Sequence, residues 1–188
     1  MSAAERLRLS YLDYLALEAG ATQKHEYLRG EVWAMAGGTP EHGRLQASLI
    51  RELGNALAGK PCVVMTSDVR VRVDATDRTT YPDLFVVCGP RRVSAADANA
   101  IVNPILIVEV LSEGTELEDR GEKFAHYRRL DSLVEYVLVS QTRPLVEVFR
   151  RSPEGWVLSE AGPGSRIGLR SIDASLDVDA VYRDPTLA

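Results

Sequence analysis

The stretch that most constrains this chain is Asn103 to Ser112, NPILIVEVLS, in which six of the seven residues from Ile105 to Leu111 are apolar. That composition predicts a strand buried on both faces, as in the middle of a sheet covered by helices. The seventh residue is a carboxylate, Glu109. An ionised glutamate in such a strand is costly to desolvate unless a cation, hydrogen-bond donors or a metal ion compensates. Two further residues supply the means. Asp83 stands at the mouth of a second short apolar run, YPDLFVVC, and Lys123, one of only three lysines among 22 basic residues, lies in the helix-like EDRGEKFAHYRRL. We read Asp83, Glu109 and Lys123 as one site.

The elements around them follow from local signals. Ser10 predicts the cap of a helix with Tyr11, Leu12, Leu15 and Leu17 inward, and HEYLRGEVWAMAGG predicts a hairpin turning at Arg29-Gly30. Thr39-Pro40-Glu41 is a helix start with a capping threonine, a proline at the first helical position and an acid at the positive end of the dipole. Its apolar stripe is Leu45, Leu49, Leu53, Ala56 and Leu57, and His42 falls on the same stripe one turn earlier. The middle of the chain then orders as helix (42–58), strand (62–73), strand (83–88), strand (105–111), helix (116–130) and strand (133–140). Arg70 and Arg72 alternate with valines and read as a solvated strand face. Residues 91–100 read as a polar loop with a short helix from Ser94. Thr115 to Glu118 has the form of a capping box, and a helical wheel places Lys123 on the packed side with Phe124, Tyr127 and Leu130. After residue 140 the turn signals predict a β meander. No linker, repeat or low-complexity segment interrupts the chain, so residues 1–188 read as a single α/β domain with an N-terminal helix and hairpin.

Composition narrows the function classes. A formal charge of −5 with pI near 5.3 weighs against broad nucleic-acid binding, although pairs such as Arg91-Arg92, Arg128-Arg129 and Arg150-Arg151 leave room for a local positive groove. Cys62 and Cys88 lie in apolar runs without metal-type spacing and read as small core thiols of a reducing compartment. With no apolar run long enough to span a bilayer and no signal-peptide pattern at the N-terminus, a cytoplasmic protein without a membrane partner is expected. No Walker loop, dinucleotide turn, serine nucleophile elbow or zinc cluster occurs.

The order of elements, with Pro82-Asp83 on one strand and Glu109 on the next, resembles the core of the PD-(D/E)xK nucleases. The phrases GEVWAMAGGTPEHGRL, YPDLFVVC, IVEVLSEGTELEDRGEKFAHYRRL and EYVLVSQ, in that order, are similar to the Uma family of bacterial restriction endonuclease-like proteins. The resemblance runs from about Tyr11 to Tyr182. It implies a restriction endonuclease-like fold, a mixed central sheet flanked by helices. It also implies a Mg²⁺-dependent (or Mn²⁺-dependent) endonuclease acting on DNA, with Asp83, Glu109 and the Val110 carbonyl as metal ligands and Lys123 as the catalytic lysine. One departure is plain: the superfamily pattern puts lysine two residues after the second acid, where this chain has Leu111, so a lysine from the following helix must reach the same place. The N-terminal acid of the pattern is assigned first to Glu31 and second to Glu26, with His42 as a further pocket residue. Two cuts on two strands point to a homodimer. The competing readings are a catalytically inactive nucleic-acid-binding or protein-interaction module, in which Glu109 and Lys123 form a structural ion pair, and a metal-dependent hydrolase of another substrate.

Overall fold

The computed structural model describes residues 7–35 and 37–187; the extreme N-terminal order on which the cytoplasmic expectation partly rests lies outside them. Strand β1 (Leu7–Arg8) leads into helix α1 (Tyr11–Gly20), whose first turn is capped by the Ser10 hydroxyl accepting from the Asp13 N–H. Its buried anchor is Tyr14; Leu12, expected inward, is 74% exposed. Strands β2 (His25–Leu28) and β3 (Glu31–Ala34) form the expected hairpin. Arg29 and Gly30 both take positive φ, 49° and 91°, the backbone that a tight two-residue hairpin requires. Helix α2 (Pro40–Ala56) starts where the sequence predicts, with the Thr39 hydroxyl accepting from the His42 N–H.

The predicted 62–73 strand is two strands. It breaks at a turn, where the Val69 N–H reaches the Thr66 carbonyl, into β4 (Cys62–Thr66) and β5 (Arg70–Val73), which enter different sheets. Then come β6 (Arg78–Thr80), β7 (Leu84–Cys88), β8 (Val93–Ser94) and β9 (Asp97–Ile101). The last two replace the predicted loop and helix of 91–100: β9 pairs in parallel with β5, a partner distant in sequence that the small polar residues gave no sign of. Strand β10 (Leu106–Leu111) is the predicted central strand, and all six of its residues are buried.

The following helical stretch is not uniform. It comprises α3 (Glu116–Glu118), a π-turn at Asp119–Lys123 and α4 (Phe124–Tyr127). The Thr115 capping box does not form, because Thr115 is itself in helical backbone and its hydroxyl pairs with that of Ser112. Strands β11 (Glu135–Ser140), β12 (Val146–Ser152) and β13 (Gly155–Ala161) make the meander, and β14 (Arg166–Leu169), β15 (Ala174–Asp177) and α5 (Val178–Tyr182) close the chain.

The architecture is mixed α/β, as predicted. A six-stranded sheet, β13-β12-β11-β10-β7-β4, is parallel only at β10–β11 and antiparallel elsewhere. A seven-stranded sheet, β1-β3-β2-β6-β5-β9-β8, collects the N-terminal hairpin and the short strands, and β14 pairs with β15. Alternation along β10 divides the core. Leu106, Val108 and Val110 pack with the Leu45, Leu49 and Leu53 stripe of α2, whereas Ile107 and Leu111 pack with Phe85, Tyr127 and Tyr136. Glu109 shares the second face, toward the 116–127 stretch.

The cysteines overturn the free-thiol expectation. In the β4–β7 ladder Cys62 stands directly opposite Cys88, with the Cα atoms 4.0 Å apart, and the two form a disulfide. Sequence spacing hides this because β5 and β6 intervene. A crosslink spanning 26 residues constrains the unfolded chain by roughly 3 kcal/mol in the loop-entropy treatment. The oxidised wild type should therefore melt above the Cys62→Ser/Cys88→Ser variant, and the gap should vanish in dithiothreitol. Equal melting temperatures under oxidising conditions would show that the bridge contributes nothing.

Candidate active site

The site begins where two strands part. The last β7–β10 pair is Leu84 with Val108, so the next positions, Asp83 and Glu109, face each other where the ladder has ended. Backbone groups freed at such a point need other partners. The two acids supply them reciprocally: the Asp83 N–H donates to Glu109 Oε2 (3.1 Å), and the Val110 N–H donates to Asp83 Oδ2 (2.7 Å). From α2, Gln46 Nε2 donates to Asp83 Oδ1 (2.7 Å) and His42 Nε2 lies 3.2 Å from Asp83 Oδ2. The bond to Asp83 raises the His42 pKa, against partial burial, and the Asp83 charge and Val110 carbonyl add to the rise. Gly38 permits this packing, since a Cβ there would lie 3.1 Å from His42 Nδ1.

On the second face Lys123 is 8% exposed, which decides against a snorkelling surface lysine. Its ammonium lies 2.9 Å from Asp119 Oδ1, 3.4 Å from Glu109 Oε1 and 3.9 Å from Glu26 Oε1. The Tyr127 hydroxyl donates to Glu109 Oε1 (3.0 Å) and meets the Thr80 hydroxyl at 2.6 Å. The π-turn makes this alignment. Over the eight residues from Asp119 to Tyr127 a regular α-helix would swing the later side chain about 80° past the earlier one. The wider i→i+5 turn takes up extra chain and returns Asp119, Lys123 and Tyr127 to one buried face. Behind them Arg78, fully buried on β6, bonds Glu26 Oε2 (2.9 Å), Glu118 (2.6 Å) and Glu122 (2.7 Å).

Three buried carboxylates thus surround one ammonium, and this imbalance sets the ionisation of Glu109, Glu26 and Lys123. Burial pushes Glu109 and Glu26 above the usual carboxyl range, and the pull of Lys123 does not cancel it while neighbouring acids add repulsion. Burial works against the Lys123 ammonium too, yet Glu109, Glu26, Tyr127 and Asp119 together hold its pKa well above the ordinary lysine value. Asp119 Oδ1, close to Lys123 but without an aligned hydrogen bond, remains under-satisfied. The cluster favours bound positive charge.

The structure links Asp83, Glu109, Val110, His42 and Lys123 through a chain of contacts. Glu31 does not join them: it sits at the hairpin turn with Arg8 3.4 Å away, and Glu26, the second choice, is the acid beside Lys123. Glu26 and Glu31 lie on the same face of the hairpin, since Glu31 stands opposite Leu28, two residues from Glu26, so it is position along the strand that separates them. Sequence reasoning missed Gln46, Asp119, Tyr127 as a bonding partner, and Arg78. The four-residue spacing Asp119, Lys123, Tyr127 was the available signal for two of them. Arg70 and Arg72 are not on a solvated face: Arg70 pairs with Asp97 (2.9 Å), and Arg72 bonds Asp77 and lies 3.8 Å over the Tyr11 ring.

The donors around the strand gap, two carboxylates and a backbone carbonyl, are hard oxygens of the kind Mg²⁺ takes while keeping several waters. Among the described residues no three His, Cys, Asp or Glu side chains are grouped so as to hold a metal ion by themselves. The excess of buried negative charge is the feature that fits a divalent cation.

Residues 11–179 match the model of the Uma2 family, described as "Putative restriction endonuclease". The chain belongs to that family. Two uncharacterised proteins of Synechocystis sp. are similar to it, one 36% identical over 177 residues (94% of this chain, 92% of the other) and one 32% identical over 153 residues (81% and 86%). Among solved structures, a "putative nuclease belonging to DUF820" from Anabaena variabilis superposes with a TM-score of 0.70 over 86% of this chain and 91% of that one, at 16% identity, a likeness of fold. This Uma2 chain has, among its described residues, no helix long and apolar enough to cross a membrane.

Two consequences follow for the cluster. Lys123→Met leaves buried acids without their cation and should cost about 3–5 kcal/mol in urea unfolding, and adding Glu109→Gln should recover part of it; a neutral single variant would remove Lys123 from the electrostatic balance. Folded Glu26 keeps its proton to higher pH than it does in the unfolded chain. Protonation therefore favours the folded state, and that advantage fades as pH rises through and above the ordinary carboxyl range. In EDTA, wild type should lose stability relative to Glu26→Gln as pH rises above the ordinary carboxyl range. A relative gain there would contradict the raised pKa.

Proposed function

We propose that this Uma2 protein is a metal-dependent endonuclease that hydrolyses DNA phosphodiester bonds at the Asp83–Glu109–Lys123 centre. The observation carrying the reading is that Lys123, which the sequence pattern displaces to a helix, has its ammonium 3.4 Å from Glu109 and is held there by two further buried acids. A structural pair would need one carboxylate for one ammonium; here Glu26, Glu109 and Asp119 outnumber the two buried cations, Lys123 and Arg78.

Asp83, Glu109 and the Val110 carbonyl would hold the ion, Mg²⁺ or Mn²⁺, whose chemistry is to acidify a water and neutralise charge on the phosphoryl oxygens. Lys123 then stabilises the charge that grows on those oxygens, from an ammonium whose raised pKa keeps it protonated throughout the neutral range. Glu26 and Asp119 position that ammonium, and Tyr127 fixes the Glu109 carboxylate. Gln46 and His42 orient Asp83. A homodimer would place two such centres on the two strands.

The second reading, a non-catalytic binding module, is favoured by one observation. Both Asp83 oxygens are already engaged by protein groups, Oδ1 by Gln46 and Oδ2 by the Val110 N–H and His42. Incubation of supercoiled plasmid with wild type, Asp83→Ala and Lys123→Ala in Mg²⁺ or Mn²⁺ tests the two. Nuclease function predicts nicking by wild type and at least about a hundredfold loss in each variant. It also predicts that Mg²⁺ raises the melting temperature of wild type and not of Asp83→Ala. A metal-induced rise without cleavage would favour the binding module.

A further inference from the structure

Beside the candidate site an open groove of about 570 Å³ lies between the β4–β5 turn and the β8–β9 hairpin. Its size is that of a ligand cleft. One end is Asp68, whose carboxylate is held by Lys24 at 2.7 Å; Lys24 also bonds the Ser67 carbonyl and lies 5.6 Å over the Tyr81 ring, two residues from Asp83. The other end is Arg91. Strand β4 spans the distance between them, since Thr66 pairs with Leu84 next to Asp83 and Cys62 pairs with Cys88 just ahead of Arg91. Five strand residues rise about 17 Å, the length of about five nucleotides along one strand of a duplex.

The chemistry of the groove changes along that length. Arg70, which also lines it, is taken up by Asp97. Arg91 and the adjacent Arg92 are exposed and make no ion pair among the described residues. On a chain of net charge −5, the uncommitted Arg91 guanidinium at the far end of a groove that starts beside an acidic centre is complementary to a phosphodiester backbone. Met65, Val69 and Val93 give the groove apolar surface, and the exposed Asn99 presents a side-chain amide able to bond a base edge.

We propose that this groove carries the DNA strand flanking the scissile phosphate, with Arg91 binding its phosphates and Asn99 facing its bases. The inference rests on the nuclease reading and extends it to the substrate path. The test is fluorescence anisotropy of a labelled DNA duplex across a salt series, with Ca²⁺ in place of Mg²⁺. Wild type is compared with Arg91→Ala and with Arg170→Ala, an exposed arginine outside the groove. Arg91→Ala should bind more weakly and lower the slope of log K against log[salt] by about 0.9, for the one phosphate that is no longer neutralised; Arg170→Ala should match wild type. Unchanged slope in Arg91→Ala, or an equal drop in Arg170→Ala, overturns the groove while leaving the nuclease reading intact. Wild type that binds no DNA overturns both.

Discussion

The candidate site depends on an unequal charge balance: Glu109, Glu26 and Asp119, all nearly inaccessible to solvent, share the Lys123 ammonium. A matched buried pair can do no more than offset its own desolvation, and hydrophobic residues of the same volume would often serve as well. An unmatched cluster cannot rest there. Glu26, Glu109 and Lys123 are all pushed toward holding a proton, the two acids by burial and the ammonium by the carboxylates around it. Fold and chemistry are joined at this point because the acids sit on elements whose positions the rest of the core fixes.

Two local irregularities create that geometry. The first is the parting of β7 from β10 after the Leu84–Val108 pair, which frees the Asp83 and Val110 N–H groups for the opposing carboxylates. The bonds that orient the acids are thus the bonds that replace the missing ladder. The second is the π-turn at Asp119–Lys123, which gathers three polar side chains on the inner face of a helix that would otherwise spread them. It also explains how a lysine 14 residues from Glu109 comes within 3.4 Å of it, while Leu111, two residues on, packs in the core.

Much of this was legible in the sequence because it is local. NPILIVEVLS announced a buried strand with one misplaced charge, the threonine cap and leucine stripe fixed α2 with His42 toward the site, and the helical wheel placed Lys123 inward. What escaped depends on partners distant in sequence. Ser94 and Asp97 carry no strand signal until β5 lies alongside, Cys62 and Cys88 meet only through the β4–β7 register, and Arg72 leaves solvent only because Tyr11 and Asp77 enclose it. The choice between Glu26 and Glu31 is of this kind too. The two share one face of the hairpin, Glu31 opposite Leu28 and Glu26 opposite Trp33, and only the docking of β2 on β6 brings Glu26, the one further from the turn, beside Arg78 and Lys123.

Arg78 shows why the N-terminal segment is part of the site and not an ornament on it. Residues 25–34 belong to a different sheet from Asp83 and Glu109, joined to β6 through the Tyr27–Thr79 and Leu28–Arg78 pairs. From β6 the fully buried Arg78 guanidinium bonds Glu26 on one side and Glu118 and Glu122 on the other, so the second sheet and the Lys123 helix are tied through a single cation. Without it Glu26 would face Lys123 with one fewer positive neighbour, and the π-turn would lose two of its side-chain anchors. A planar guanidinium with several donors can serve three carboxylates at once, whereas a lysine at the same place would offer a compact point charge. The geometry of the acid cluster is therefore set as much by β6, which carries none of its acids, as by the strands that do.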